Sequence, residues 1–164
     1  MQSKPLGRTG LRVSPLCLGT MNFGPFTSEE DSYAIMDRAL AGGINFFDTA
    51  PLYGTKETDG VSETILGESL GSHRGEVIIS TKFGRTSSNV IPGRFHAAEA
   101  RESCEASLRR IGVDALDVLF FHSPFKPEEI HDDVWAELSK LKDEGKVRFL
   151  GHSVSLFDDT APMS

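Results

Sequence analysis

Cysteine is scarce in this sequence, because Cys17 and Cys104 are the only two among 164 residues. Two cysteines cannot build the disulfide framework that stabilises small secreted domains. Cys17 lies in an apolar run and Cys104 on a predicted helical face, so we expect both to be buried, reduced thiols. The expected location is therefore a reducing cytoplasm.

Long apolar runs are missing as well. No stretch approaches the roughly 20 apolar residues of a membrane-spanning helix, and residues 1–13 contain no apolar core of signal-peptide length. The net charge is −7, without a long run of one sign, whereas a nucleic-acid surface needs clustered lysine and arginine. We therefore expect neither a membrane nor a nucleic-acid partner. A small anionic ligand stays open, because a pocket can be basic inside an acidic protein.

Short apolar runs alternate with amphipathic helical segments along the chain, which is typical of βα units around a parallel sheet. A small hairpin is predicted around residues 7–10, and five strands are predicted at 15–20, 44–47, 76–81, 117–121 and 147–150. The first predicted helix is capped by Thr27 with Glu30, and the last begins near Pro127. The pattern predicts a single domain of about five βα units, the last without its helix.

Ionisable side chains stand at the carboxyl ends of three predicted strands. They are Asp48, Lys82 and His122, and Tyr53 follows in the loop after Asp48. In a parallel βα barrel this edge carries the functional site, because the loops after the strands converge there. Taken singly, each residue also has a structural explanation: a capping Asp, a solvated Lys, a satisfied core His and a packing Tyr. Their common position on one rim favours a site.

These four side chains match the needs of carbonyl reduction by hydride. Hydride addition leaves an alkoxide that must be protonated, and a Tyr hydroxyl can donate that proton. A nearby Lys ammonium stabilises the phenolate that remains. A carboxylate holds the Lys in place, and a His N–H orients the substrate oxygen. This chemistry requires no metal.

With these residues in place, the sequence resembles the aldo-keto reductase family. The stretch around Asp48 and Tyr53 resembles the family's catalytic signature, and the stretches around Lys82 and His122 resemble its lysine and histidine strands. Six segments match in order: 6–10 (LGRTG), 18–24 (LGTMNFG), 43–54 (GINFFDTAPLYG), 79–84 (ISTKFG), 117–122 (DVLFFH) and 141–151 (LKDEGKVRFLG). Together they extend over nearly the whole chain.

The resemblance implies a (β/α)8 TIM barrel with an N-terminal β-hairpin, and NADP(H)-dependent reduction of aldehydes or ketones to alcohols. By position, Tyr53 is expected to be the general acid and His122 to orient the carbonyl, while Asp48 and Lys82 tune Tyr53. The cofactor-binding positions that the resemblance implies are Gly19, Thr20, Met21, Asp48 and Ser153. The chain has no Gly-x-Gly-x-x-Gly loop, and the family does not use one.

Two departures from the family pattern bear on the cofactor. Val154 stands after Ser153, where the family has an Asn that holds the nicotinamide amide. A full barrel needs roughly 250 residues, so we expect residues 1–164 to form a barrel domain truncated at its C-terminus. The missing units would bind most of the cofactor's phosphates and its adenine. Exposed barrel edges predict self-association.

Other functions stay open beside the oxidoreductase. A truncated barrel without turnover would keep the family's residues but lack its cofactor site. A regulatory binding subunit, like the potassium-channel β subunits that resemble this family, would use a partner surface. A different (β/α)8 enzyme would leave the signature around Asp48 and Tyr53 unexplained. The substrate is not predicted, because loop 84–93 indicates no clear size or charge preference.

Overall fold

The structure is a computed structural model that describes residues 1–55, 57–86 and 94–154. Its first feature is the predicted hairpin, in which β1 (Lys4–Pro5) pairs antiparallel with β2 (Arg12–Val13). Part of loop 84–93, and the whole tail 155–164, lie outside the described residues.

A parallel sheet of five strands forms the centre of the described chain. Its strands are β3 (Leu18–Gly19), β4 (Phe46–Asp48), β5 (Ile78–Phe83), β6 (Leu116–His122) and β7 (Val147–Ser153). Each strand pairs in parallel with the next one along the chain. This sequential order is that of a (β/α)8 barrel.

Helices connect the strands and cover one face of the sheet. They are α1 (Glu29–Ala41), α2 (Val61–Leu70), α3 (Ala97–Ile111) and α4 (Asp133–Asp143), with short 3₁₀ helices at Gly71–Glu76 and Pro127–Glu129. Most residues of the apolar stripes predicted for these helices are buried, among them Met36, Leu66, Cys104 and Leu138, whereas Tyr33 and Leu40 of α1 are partly buried. Within the described ranges, no helix combines the length and the apolar character that crossing a membrane requires.

Three local predictions are wrong. The N-cap of α1 is Ser28 and not Thr27, since the Ser28 hydroxyl accepts the Asp31 N–H at 3.1 Å. Thr27 lies one residue before the cap, and its backbone forms a β-bridge with Phe23. Pro127 begins a 3₁₀ turn and not α4. Cys17 is exposed, since it precedes β3, the strand at the edge of the sheet in the described chain.

The two faces of the sheet differ in character, because successive side chains of a strand point to opposite faces. Phe47, Ile79 and Leu119 are buried in the core beneath the helices. Asp48 and its register partner Ser80 lie on the opposite face. Lys82 shares that face, two residues beyond Ser80. The predicted site residues thus stand on the side that forms the interior of a barrel.

Asp117 fastens the amino-terminal end of the sheet, opposite the predicted site. Its carboxylate accepts hydrogen bonds from Arg74 at 3.2 Å, from Arg148 at 2.6 Å and from the Ile79 N–H at 3.0 Å. Asp117 is only 3% exposed, so this buried charge is paired, as burial requires. The carboxylate joins β5, β6 and β7 at one point.

Candidate active site

Lys82 is the centre of the predicted site. Its Nζ lies 2.6 Å from Asp48 Oδ2, 2.8 Å from the carbonyl oxygen of Thr49 and 3.2 Å from the Tyr53 hydroxyl. These three oxygens take up the donors of the ammonium group. Lys82 is only 5% exposed, so the alternative explanation, a solvated Lys at the end of a strand, is wrong. Lys82 is a buried cation held against a carboxylate and a phenol.

Neighbouring strands bring Asp48 and Lys82 together. Asp48 ends β4, and its register partner Ser80 lies two residues before Lys82 on the same face of β5. The Ser80 hydroxyl donates a 2.7 Å hydrogen bond to Asp48 Oδ1. Both carboxylate oxygens are therefore bonded, which fixes the side chain in one orientation.

The loop that carries Tyr53 is anchored to α2. Its carbonyl oxygen accepts the Ser62 N–H at 2.9 Å. The Ser62 hydroxyl is itself bonded within the core, 2.6 Å from Thr20 Oγ1 and 3.2 Å from Thr49 Oγ1. A buried hydroxyl cluster of Thr20, Thr49 and Ser62 thus sets the position of the Tyr53 loop relative to β3 and β4.

His122 completes the group of four. Its ring lies edge-on to the Tyr53 ring, with 6.0 Å between centroids and an interplanar angle of 89°. Burial, followed by the positive charges of Lys82 and Arg85, lowers the pKa of His122 to about 3. The imidazole is therefore neutral around pH 7 and can donate a hydrogen bond without carrying charge. Its Nδ1 is buried and has no partner among the described residues.

The residues predicted to bind a cofactor are spread along the same rim. Gly19 ends β3, with open space where a side chain would stand. Thr20 is buried, and its hydroxyl lies 3.1 Å from the carbonyl oxygen of Asp48, whereas Met21 is 57% exposed. Ser153 ends β7, and its hydroxyl oxygen lies 3.3 Å from that of Ser123. The next residue, Val154, is 41% exposed.

Sequence reasoning missed three hydroxyl residues of this site. Ser80 could have been found from strand alternation, since it lies two residues before Lys82 and shares its face. Ser62 and Thr49 had no such signal, because their partners come from other segments of the chain.

The family model of the aldo/keto reductases matches residues 15–161 of this chain. The chain belongs to the aldo/keto reductase family. It is 37% identical over 161 residues to the Bacillus subtilis oxidoreductase YrpG, covering 93% of this chain and 49% of that protein. It is also 37% identical over 160 residues to the L-galactose dehydrogenase of Arabidopsis thaliana, covering 92% of this chain and 48% of the relative.

Solved structures confirm the fold. The aldo-keto reductase from Bacillus halodurans, in its holo form, superposes with a TM-score of 0.81 at 32% identity, covering 94% of this chain and 50% of that chain. The chain therefore forms an incomplete aldo/keto reductase barrel, and it spans about half the length of the curated relatives it matches. Members of this oxidoreductase family generally use a nicotinamide cofactor.

The described residues of this aldo/keto reductase fit the nicotinamide end of such a cofactor. The orphaned Nδ1 of His122 marks a polar atom that lacks a partner on the rim. Gly19 leaves space beside Asp48, its register partner. Ser153 Oγ has Ser123 as its one hydrogen-bond partner in the described chain, so a hydroxyl at the end of β7 keeps bonding capacity for an amide.

Proposed function

We propose that this chain carries the catalytic group of an NADP(H)-dependent oxidoreductase that reduces aldehydes or ketones to alcohols. The observation that carries the proposal is the contact of Lys82 Nζ with both Asp48 at 2.6 Å and Tyr53 at 3.2 Å. A buried ammonium placed against a phenol stabilises the phenolate, which is what a Tyr must become when it gives up a proton. A structural Tyr has no need of this arrangement.

Tyr53 is the proton donor in the proposed reaction. The carbonyl π bond opens, the carbonyl carbon gains a hydrogen, and the oxygen takes the Tyr53 hydroxyl proton, which leaves a phenolate beside Lys82. The cofactor, when bound, supplies the hydride. His122 cannot replace Tyr53 as the acid, because its pKa of about 3 leaves it without a second proton at neutral pH. Its N–H instead hydrogen-bonds the carbonyl oxygen and orients it.

Asp48 and Ser80 act through Lys82 and are positioning residues. The carboxylate holds the buried ammonium at 2.6 Å and prevents it from turning away from Tyr53. The Ser80 hydroxyl holds the carboxylate in turn, at 2.7 Å.

An open apolar cleft beside Tyr53 offers room for an organic carbonyl compound. Its volume is about 440 Å³, and it is lined by Met21, Pro25, Phe26, Leu52, Tyr53, Gly54 and Thr55. Phe26 is 83% exposed, so it presents a free aromatic surface within reach of a ligand. Apolar walls with a few polar groups at one end are typical of sites for small organic molecules.

The test is NADPH consumption by the full chain with a panel of aldehydes, followed through the absorbance of NADPH. Tyr53→Phe removes only the hydroxyl, and we expect it to lower kcat/KM by at least about 100-fold, the lower end of the range for general acid catalysis. Tyr33→Phe is a matched control, because the Tyr33 hydroxyl bonds Glu29 and Glu68 away from the rim. Equal losses in the two variants, or no turnover by the parent chain, would contradict the proposal.

A further inference from the structure

Arg85 is a second cation on the rim, beside the four residues described above. It stands two residues after the end of β5, and its Nη2 donates a 3.1 Å hydrogen bond to the carbonyl oxygen of Ser123. Ser123 directly follows His122, so the guanidinium lies next to the imidazole that is proposed to bind the carbonyl. Arg85 is only partly buried, and a ligand on the rim can therefore reach it.

The charge of Arg85 has no carboxylate partner among the residues that the structure describes. A comparison with Arg94 shows the contrast, since both guanidinium groups lie over the Phe125 ring, at 4.5 Å and 5.4 Å. Arg94 is neutralised by Glu129 at 2.7 Å, whereas Arg85 forms no such pair with any residue that the structure describes. Burial and the charge of Arg94 lower the pKa of Arg85, while the charge of Glu129, which forms no ion pair with Arg85, raises it.

Arg85 also has unused hydrogen-bond donors. A guanidinium carries five N–H donors, and the carbonyl of Ser123 is its one acceptor in the described part of the chain. The Nε atom is shielded from solvent and has no partner there. Such a donor is costly to leave unsatisfied. Because Nε is shielded from solvent, a ligand on the rim meets the Nη groups, whose N–H donors are only partly used by the Ser123 carbonyl in the described chain.

The backbone of Ser123 adds an independent observation. Its φ is +49°, a left-handed conformation that costs free energy in a residue other than glycine. Strained residues of this kind cluster at ligand sites. Here the strained turn separates His122 from the rest of the loop and contributes the carbonyl to which Arg85 donates.

We propose that Arg85 binds a carboxylate of the substrate, so that the site prefers aldehydes and ketones that carry a carboxylate near the carbonyl group. The planar fork of the guanidinium matches a carboxylate in shape, and its single positive charge matches the single charge of the carboxylate. Phosphate would bring nearly two charges at neutral pH. This inference rests on the proposed function, because it names the substrate class of the same site.

The test compares 4-carboxybenzaldehyde with its methyl ester, which has the same aldehyde but no charge. Arg85→Gln is expected to lower the acid-to-ester ratio of kcat/KM by about tenfold to one-hundredfold, the loss of one charge-assisted contact, mainly through KM for the acid. Arg85→Lys should recover part of the ratio, because the charge returns without the fork. The control is Arg109→Gln, which makes the same change at an exposed Arg near the end of α3, away from the rim, and should leave the ratio unchanged.

Equilibrium binding of 4-(hydroxymethyl)benzoate, measured by calorimetry with NADP⁺ present, separates this inference from the proposed function. Turnover with an acid-to-ester ratio that Arg85→Gln does not change overturns the carboxylate site and leaves the reductase standing. Absence of turnover together with binding that Arg85→Gln weakens overturns the reductase and supports the carboxylate site. Absence of both overturns the two together.

Discussion

Asp48 and Lys82 are paired but unequally buried, with side chains 28% and 7% exposed. Removing the carboxylate by Asp48→Ala leaves a buried ammonium that keeps only neutral oxygens, and we expect the free energy of unfolding to fall by about 3 kcal/mol. Removing the ammonium by Lys82→Met leaves Asp48 with the Ser80 hydroxyl and some water, so we expect a loss of about 1 kcal/mol. Urea unfolding measures both values.

A surface pair provides the control for this comparison. Lys140 is 66% exposed and lies 3.4 Å from Glu137, so Lys140→Met should change the free energy of unfolding by less than about 0.5 kcal/mol. A larger loss for Lys82→Met than for Asp48→Ala would contradict the prediction. It would show that the carboxylate depends on its partner more than the ammonium does.

His122 gives the stability of the protein a pH dependence of known sign. Its pKa is about 3 in the folded chain, against 6.5 ordinarily, so between these values the unfolded chain binds the additional proton. Stability due to this residue is complete above about pH 6.5 and is lost as the pH falls, by at most ~1.4 kcal/mol per pH unit.

Denaturant unfolding at a series of pH values measures this effect as the difference between the parent and His122→Gln. We expect the parent to lose more stability than the variant between pH 6.5 and pH 4. His73→Gln, which changes an exposed His, is the control and should follow the parent. A constant difference between parent and His122→Gln over this range would contradict the buried, neutral His122.

Among the elements, the connection from β5 to α3 is held at both ends by one side chain. Glu99 of α3 accepts the Gly84 N–H at 2.9 Å and the Phe95 N–H at 3.3 Å, which ties the two ends of the connection to one carboxylate. Phe95 is fully buried and packs its ring against Phe83 and Phe121. Arg85 leaves the strand at this point, so the same carboxylate helps to set its position.

We expect alanine at Gly84 to cost far more free energy of unfolding than alanine at Gly112, although both glycines have a positive φ. Gly84 has φ +93°, and an added Cβ would lie 1.9 Å from the Phe95 ring, which is too tightly packed to move. We expect Gly84→Ala to cost about 3 kcal/mol or more. Gly112 ends α3 with φ +72° and open space around it, so Gly112→Ala should cost about 1 kcal/mol. Thermal unfolding of the two variants decides, and equal losses would contradict the packing argument.

The elements were largely predictable because their apolar periodicity reflects which face is buried. The stripe with Cys104 and Leu108 predicted α3, and both residues are in the core. Strand ends were less predictable, since β5 continues to Phe83 through pairing of Lys82 with Phe120 in the next strand. The site was predictable in the same way, because its charged residues stand at the ends of apolar strands. No sequence pattern indicated a role for Arg85, because its neighbours come from β6 and the loop beyond it.

At the scale of the molecule, no described helix covers the face of the sheet that bears the site. Phe46, Phe120 and Phe149 lie on that face, two residues from Asp48, His122 and Gly151, and are only partly buried. Within the described chain the sheet ends at β3 and β7, each paired on one side only. Unpaired strand edges beside apolar surface favour association with further chains, and we propose that this chain self-associates through them.

Sedimentation velocity at increasing protein concentration tests the association. We expect species heavier than the 17.9 kDa chain, and we expect Phe149→Lys to shift them towards that mass, because a Lys on an edge strand opposes pairing. Trp135→Lys is the control for the helix-covered side, where Trp135 is 51% exposed. If Trp135→Lys disperses the assembly and Phe149→Lys does not, the contact lies on the other side of the sheet.

The Asp117 junction at the amino-terminal end of the sheet has a consequence for protein engineering. Because Arg74, Arg148 and the Ile79 N–H all converge on one carboxylate there, strand alignment is secured at the end away from the rim loops. Rim segments can then be exchanged with those of relatives without disturbing the alignment of β5, β6 and β7. In an evolving lineage, the same separation lets substrate preference drift while the framework stays constant.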